Sequence, residues 1–447
     1  LRHLLDEGAV VSLPAEDGFR LRHDVNEDWL LARHLQSRRK DISEILHTAD
    51  QPLWWLRSVQ LVAQTLLEQD DHDGWEALLE ALSKDPRLDP AWRRAVLVAP
   101  LYSERAGVIL PGLEARLLAD DARLLRQLLD TLIVFETRID ERMLSHLADR
   151  DEATRFSLAA YYKVPALRTW LPFLRWSLGK WNQWPRTLLP RLAELADIFT
   201  RAAGATPNSY SERIAGLAFD WLTEIEDANH PLDWTNRREP FDTILAGVSP
   251  WDEVEKRVRR ILVASSGSAP ETTRAYLNRL SSPKRLSAAR TDLIENPGRV
   301  PGLLPREWTE MCLAQFVPPP RSGKPRDPLT RGMMLGFDGL DQTGIRRDQG
   351  FSPSSPVRGG FDQVFEADAT QAMRLFHRLE RRAATHWRWH NKIRNGIRPL
   401  PVTIRLPNRK VMLWGDDAVY RWARAILGSP VLGSLYLALD DWLANQV

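Results

Sequence analysis

The chain has 447 residues, 43% hydrophobic and 27% charged, a composition that fits folded globular protein and a length that accommodates two to four domains. Lys plus Arg number 61 against 59 for Asp plus Glu, a balance of +2, so no global field draws nucleic acid or a membrane surface to the chain. The single cysteine, Cys312, excludes an internal disulfide and fits a reducing, cytoplasmic setting.

No apolar run reaches the roughly 20 residues of a membrane helix. The chain begins at Leu1 with no signal-peptide pattern, and the reading is that it starts inside a domain. Eighteen Trp are a heavy load, suited to helix packing and to adhesive surfaces.

In chain order, Leu1–Glu7 reads as the end of a helix, broken by Gly8. Ala9–Leu13 and Phe19–His23 are short strand-like runs separated by Pro14, Asp17 and Gly18, which is a hairpin signal. A helix opens at once, with Asp24 placed to cap it. Helix, hairpin and helix are the last parts of a winged helix, or equally a plain hairpin packed on a helix.

From Asp41 to Phe316 apolar residues recur at spacings of three and four. Leu125, Leu128, Leu129, Leu132 and Ile133 form one such stripe, and Leu188, Leu189, Leu192, Leu195, Ala196 and Phe199 another. Tyr210, Ile214, Leu217, Ala218, Trp221, Leu222 and Ile225 form a third, and Trp251, Val254, Val258, Ile261 and Leu262 a fourth. Ser268 with Glu271 has capping-box spacing. Breaks are expected at Asp85-Pro86, Pro111-Gly112, Gly204–Pro207 and Ser265–Ser268. Short helices with short breaks predict antiparallel pairs stacked as a solenoid, although no fixed repeat period emerges.

Trp170, Trp176, Trp181 and Trp184 interleave with Arg168, Arg175 and Lys180. That composition describes either a stacking surface for single-stranded nucleic acid or a packed helix corner with solvated cations. Phe316–Gly360 is rich in Pro, Gly and Arg and reads as a linker or binding loop. Ala369–Gly396 reads as one helix with a positive face carrying Arg374, Arg378, Arg381 and Arg388, either solvated or docked on an anionic partner. His386 and His390 lie four apart, but no third ligand follows and no Glu stands between them as in a metalloprotease helix, so no metal is expected. Val402–Leu406 and Val411–Trp414 predict a hairpin, followed by two helices. No catalytic constellation is found.

Arg22-His23-Asp24, at a strand end entering a helix, resembles the Met-His-Asp-like triplet in the winged-helix domain of signal-transduction NTPases with numerous domains, the STAND type. The resemblance implies that His23 contacts a nucleotide phosphate in the resting state of a parent protein. No Gly-x-x-x-x-Gly-Lys-Ser/Thr sequence occurs here, so ATP or ADP would be held by a core upstream and no cofactor is expected in this chain. At the other end, Ser352-Pro353-Ser354-Ser355-Pro356 with Gly360-Phe361, Trp414-Gly415-Asp416 with Tyr420 and Trp422, and Leu437-Ala438-Leu439 with Trp442-Leu443 look like the C-terminal module of large bacterial NTPases of the antiviral-sensor type. Tyr436 and Asp440 stand where that module usually has Met and Glu.

The expected fold is mainly α: an irregular α-solenoid of helical pairs with a short N-terminal β-hairpin, the winged-helix remnant, and a C-terminal α+β cap. Its parts are a remnant at 1–39, a helical-repeat region at 40–316, a linker or loop at 317–360 and a helix–hairpin–helix module at 361–447. Strand is expected only at about Ala9–His23 and Val402–Trp414. The resemblance implies the ligand-sensing region of an antiphage signalling NTPase, with a protein ligand, self-association of the full-length protein and no membrane partner. Candidate contact residues are Trp176, Trp181, Trp184, Arg374, Arg378, Arg381 and Arg388. The alternative is a helical nucleic-acid-binding protein using these Trp- and Arg-rich surfaces.

Overall fold

The computed structural model describes residues 10–13, 18–21, 24–159, 162–204, 206–229, 250–282, 287–317, 345, 351, 354–394, 402–406, 409–413 and 429–446. These fall into two compact units, 1–202 and 203–447, so one unit boundary lies within the stretch read as a single helical region. The chain is mainly helical, with three two-stranded antiparallel sheets among the described residues.

Unit 1 opens with β1 (Val10–Leu13) paired to β2 (Gly18–Leu21), Val10 opposite Leu21 and Leu13 opposite Gly18. Helix α1 follows at once (Asp24–Ser37), then α2 (Ile42–Thr48), α3 (Leu56–Glu68), α4 (His72–Lys84), α5 (Pro90–Tyr102) and the long α6 (Ala106–Val134). The starts of α4 and α5 are fixed by side chains. Asp71 accepts from the Gly74 amide, and Asp89 accepts from the Ala91 amide ahead of a first-turn Pro90. Alternate helices lie side by side, α1 on α3 and α3 on α5. They close over Val59, Val62, Leu66, Trp75, Trp92 and Val96, all buried.

Two expectations fail in α6. Pro111-Gly112 does not break it; the helix runs through Pro111. The interruption lies about two to three turns later, at Ala119–Ala122, where Asp120, Asp121 and Ala122 have φ of 52°, 54° and 57°. Asp tolerates that left-handed region better than most residues, so a pair of acids inside an Ala- and Leu-rich run marks the kink. The apolar stripe beyond it, from Leu125 to Ile133, is buried as its spacing predicts.

Strand is also not confined to the two ends. After α6, β3 (Thr137–Ile139) pairs with β4 (Lys163–Pro165), and between them run α7 (Glu141–His146) and α8 (Glu152–Ala159). The pair closes the base of this excursion, and the Ala166 amide donates to the Glu136 carbonyl just below it. Unit 1 ends with α9 (Leu167–Ser177) and most of α10 (Leu189–Ala203).

Unit 2 contains α11 (Ser209–Asn229), α12 (Pro250–Ala264), α13 (Pro270–Leu280), α14 (Ser287–Glu295), α15 (Val300–Leu303) and α16 (Pro305–Phe316). Then come α17 (Phe361–Ala367), α18 (Ala369–Arg394), β5 (Val402–Leu406) paired with β6 (Arg409–Leu413), and α19 (Pro430–Ala444). The capping box expected at Ser268 and Glu271 does not form. Pro270 takes the first helical position, Ala269 becomes the cap, and the Ser268 hydroxyl instead accepts from the Asn208 amide at 3.2 Å. Cys312 is fully buried in α16, and burial pushes its thiol well above the usual range.

Segments that carry the C-terminal resemblance meet in unit 2. Ser354 Oγ donates to the Pro430 carbonyl at 3.0 Å, and the Ser355 amide donates to Ser434 Oγ at 3.1 Å. Phe351 packs between Phe316 and Phe361, and Phe365 stacks on Trp442. Trp308 Nε1 donates to the Gly359 carbonyl at 3.0 Å. Gly360 has φ of 64°, and a Cβ there would lie 2.3 Å from Pro301 Cγ, so glycine is required twice over, by backbone and by contact. Residues 414–428, which include Trp414, Tyr420 and Trp422, lie outside the described residues.

Candidate functional site

Helix α18 carries the candidate basic face. Its apolar positions Ala372, Leu375, Phe376, Leu379 and Ala383 are buried against α16 and α19. At 3.6 residues per turn, positions 374, 378, 381 and 388 fall on one stripe about 80° wide, opposite that buried face. Arg374, Arg378 and Arg381 are accordingly exposed. Arg374 is tied to Glu310 at 2.5 Å. Arg378 and Arg381 have no carboxylate within ion-pair distance among the described residues. Arg388 lies on the same helix, but its side chain, like those of Trp387, Trp389 and His390, lies outside the described residues.

The tryptophan candidates are placed otherwise. Trp176, Trp181 and Trp184 are 9%, 2% and 5% exposed, and Trp170 is fully buried. Trp176 and Trp184 pack 5.5 Å apart beside Phe173. Trp170 Nε1 donates to the Glu136 carbonyl at 2.7 Å, and Trp181 Nε1 donates to Ser177 Oγ at 3.0 Å. Lys180 pairs with Glu114 of α6 while lying over the Trp176 ring. The stretch 170–184 is therefore a packed corner of unit 1, and its rings offer no faces for bases or for a partner. The physical reason is area: an indole buried in this corner, where α9 packs on α5 and α6, removes more apolar surface from water than exposure to solvent could repay.

His23, the expected phosphate contact, and Arg22 lie outside the described residues. The described backbone gives β2 ending at Leu21 and α1 opening at Asp24, so both fall in the two-residue connection. Among the described residues no group of three or more His, Cys, Asp or Glu is arranged to hold a metal ion, and no helix is long and apolar enough to cross a membrane.

No protein-family model matches this chain. No curated protein matches it either.

A second group of arginines includes Arg168, named above only as a cation beside the tryptophans, and two residues the sequence did not single out. Arg57, Arg94 and Arg168 are separated by 37 or more positions in the chain, and the fold lays each of them on an aromatic ring. No local motif signals them, because their rings, Tyr102 and Phe135, belong to other elements.

Proposed function

We propose that the chain is the partner-recognition region of a larger signalling NTPase of the type its two ends resemble, and that the arginine stripe of α18 meets an acidic surface of a protein ligand. The observation that carries the recognition reading is the placement of Arg378 and Arg381: exposed, opposite the buried face and without a carboxylate partner among the described residues. Rim cations of this kind steer a partner and fix its register more than they add affinity. The nucleotide-coupling half of the reading is supported by the β1–β2 hairpin, whose second strand ends at Leu21, shortly before α1 opens at Asp24. In it, ligand binding shifts a resting–active equilibrium that ATP or ADP, bound upstream, holds at rest.

His23 tests that half. In the intact protein its imidazole would donate to a nucleotide phosphate. Losing a hydrogen bond to a charged group costs about 1–3 kcal/mol, roughly a tenfold shift toward the active state without ligand. His23→Ala in the full protein should therefore turn over nucleotide, or prove toxic, with no ligand present. A folded His23→Ala protein that is silent alone and responds normally to ligand would remove His23 from the mechanism.

The same stripe supports a second reading, binding of nucleic acid along α18. Salt separates the two. Each phosphate contact adds about 0.9 to the slope of log affinity against log salt, so three arginines predict a slope near 2.7 for a labelled DNA duplex. Fluorescence anisotropy should show that slope falling by about 2 in the Arg378→Gln/Arg381→Gln double variant. DNA binding too weak to titrate, or one indifferent to the double substitution, excludes this second reading and leaves the protein ligand.

A further inference from the structure

Tyr102 is the last residue of α5, and its ring is flanked by two guanidinium groups. The Arg57 Cζ lies 5.5 Å from the ring centroid and the Arg168 Cζ 5.1 Å, so the cations are no farther apart than those two distances together. A third, Arg94, lies 4.0 Å over the Phe135 ring, and Phe135 adjoins Glu136 in the chain. The ring of Tyr102 is fixed at its hydroxyl, which donates to Glu136 Oε2 at 2.9 Å, and Thr169 Oγ1 donates to the same oxygen at 3.1 Å.

Several arginines of unit 1 are paired with acids. Arg39, Arg87, Arg116, Arg126 and Arg191 each sit within ion-pair distance of a carboxylate. Among the described residues Arg57, Arg94 and Arg168 have none. The nearest acids are already engaged: Glu136 on two hydroxyls, and Asp28, which draws on Arg57 only at longer range, as acceptor from Ser58 at 3.4 Å. Arg57 is half-buried, and its one hydrogen bond, Nη1 to Gln60 Oε1, goes to a neutral amide. Burial, and then the charge of Arg168, lower its proton affinity. Arg168 lies in the first turn of α9, where the helix dipole opposes a cation. The fold thus holds Arg57 and Arg168 on one ring against burial, mutual repulsion and, at Arg168, the helix dipole.

Stacking uses the face of a guanidinium and leaves its in-plane N–H donors free, the arrangement that takes a carboxylate through two parallel bonds. Leu167 and Phe135 stand beside the cluster, 53% and 54% exposed. From this charge complementarity we infer that Arg57 and Arg168, laid on Tyr102, form a binding site for an acidic peptide segment of a partner protein. Its Glu or Asp carboxylates meet the guanidinium edges, and an apolar side chain covers the exposed Leu167. Single-stranded nucleic acid fits less well, because the rings on which bases would stack are already covered by cations. The inference stands apart from the stripe of α18 and does not depend on it.

The probe is a fluorescein-labelled peptide of alternating Glu and Leu, with its Gln-Leu counterpart, titrated with the full chain at low salt. The Glu-Leu peptide should bind at least tenfold more tightly than the Gln-Leu peptide. Arg168→Gln, an exposed substitution that leaves the core untouched, should weaken it about tenfold, and Arg57→Gln/Arg168→Gln further. Arg378→Gln/Arg381→Gln on α18 should leave it unchanged, which separates this site from the stripe. Equal binding of the two peptides, or Arg168→Gln binding like the parent with its thermal melt intact, overturns the site. So does loss of binding confined to the α18 variant, or displacement of the peptide by inorganic phosphate or by single-stranded DNA at equal concentration.

Discussion

Replacing Arg290 by methionine is expected to lower the stability of unit 2 by about 3 kcal/mol. Arg290 is fully buried on α14. Its Nη1 donates to the carbonyls of Leu280 and Ser282 at 3.0 and 2.8 Å, and its Nε donates to Gln315 Oε1 at 2.9 Å. Leu280 is the last residue of α13, whose terminal carbonyls have no partner within their own helix. Arg290 therefore caps α13 from a neighbouring helix and ties both to α16, where Gln315 in turn donates to Thr291 Oγ1.

Methionine keeps much of the volume and removes the donors. Each buried acceptor left unmade costs about 1–3 kcal/mol, partly offset because the desolvated charge is also gone. Arg290→Lys should lose an intermediate amount, since one ammonium cannot span three acceptors in a plane. Urea denaturation followed by circular dichroism measures both variants. A midpoint for Arg290→Met shifted by the equivalent of less than 1 kcal/mol would mean that the cap contributes nothing net.

That residue also shows where sequence reading stops. The amphipathic stripes were legible: Ile214, Ala218, Trp221, Leu222 and Ile225 are buried as their spacing requires, and so are Val254, Val258, Ile261 and Leu262. Both terminal hairpins were legible from alternation and turn residues. What could not be read was anything settled by a partner far along the chain. Trp176, Trp181 and Trp184 looked equally able to pack or to bind, because the element that covers them, α6, ends 33 residues before α9 begins. The β3–β4 pair has three residues in each strand with two helices between, too short a run for alternation to register. An arginine at 290 in a polar helix reads as solvated. Only the turn at Leu280–Ser282, folded over it, makes it a core residue. At the candidate sites the basic face of α18 was visible as a run of Arg at helical spacing. The Arg57–Tyr102–Arg168 cluster was not, since its members share no segment.

Arg259→Met should cost about 3–5 kcal/mol at pH 7, the range for removing one partner of a buried ion pair, and the loss should shrink as pH falls. Arg259 is almost wholly buried on α12. It donates through Nη1 and Nη2 to Glu255 Oε1 at 3.1 and 2.6 Å, and through Nε to Asp292 Oδ2 at 3.2 Å. Its charge also reaches Glu226, which is fully buried and accepts from the Tyr276 hydroxyl at 2.6 Å and from Arg279 Nε at 3.3 Å. Burial raises the proton affinity of Glu226, and the Tyr276 hydrogen bond, Arg259 and Arg279 hold it down. Without Arg259 it must rise further.

The sign follows from linkage. A carboxyl whose folded pKa lies above its unfolded value binds its proton more tightly in the folded state. Its favourable contribution is complete below the unfolded pKa and is lost as pH rises through the folded one. The Arg259→Met protein should thus recover stability between pH 7 and pH 5 relative to the parent. The Arg290→Met protein, whose orphaned groups are carbonyls that do not titrate, should show no such recovery. Adding Glu226→Gln to Arg259→Met should restore part of the loss at pH 7 and flatten its pH dependence, because the amide removes the unpaired charge while still offering Tyr276 an acceptor. Parallel urea titrations of the four proteins at the two pH values decide the matter. A deficit in Arg259→Met that Glu226→Gln leaves unchanged or deepens would show that Arg259 does not act on the Glu226–Tyr276 pair, which Arg279 then holds.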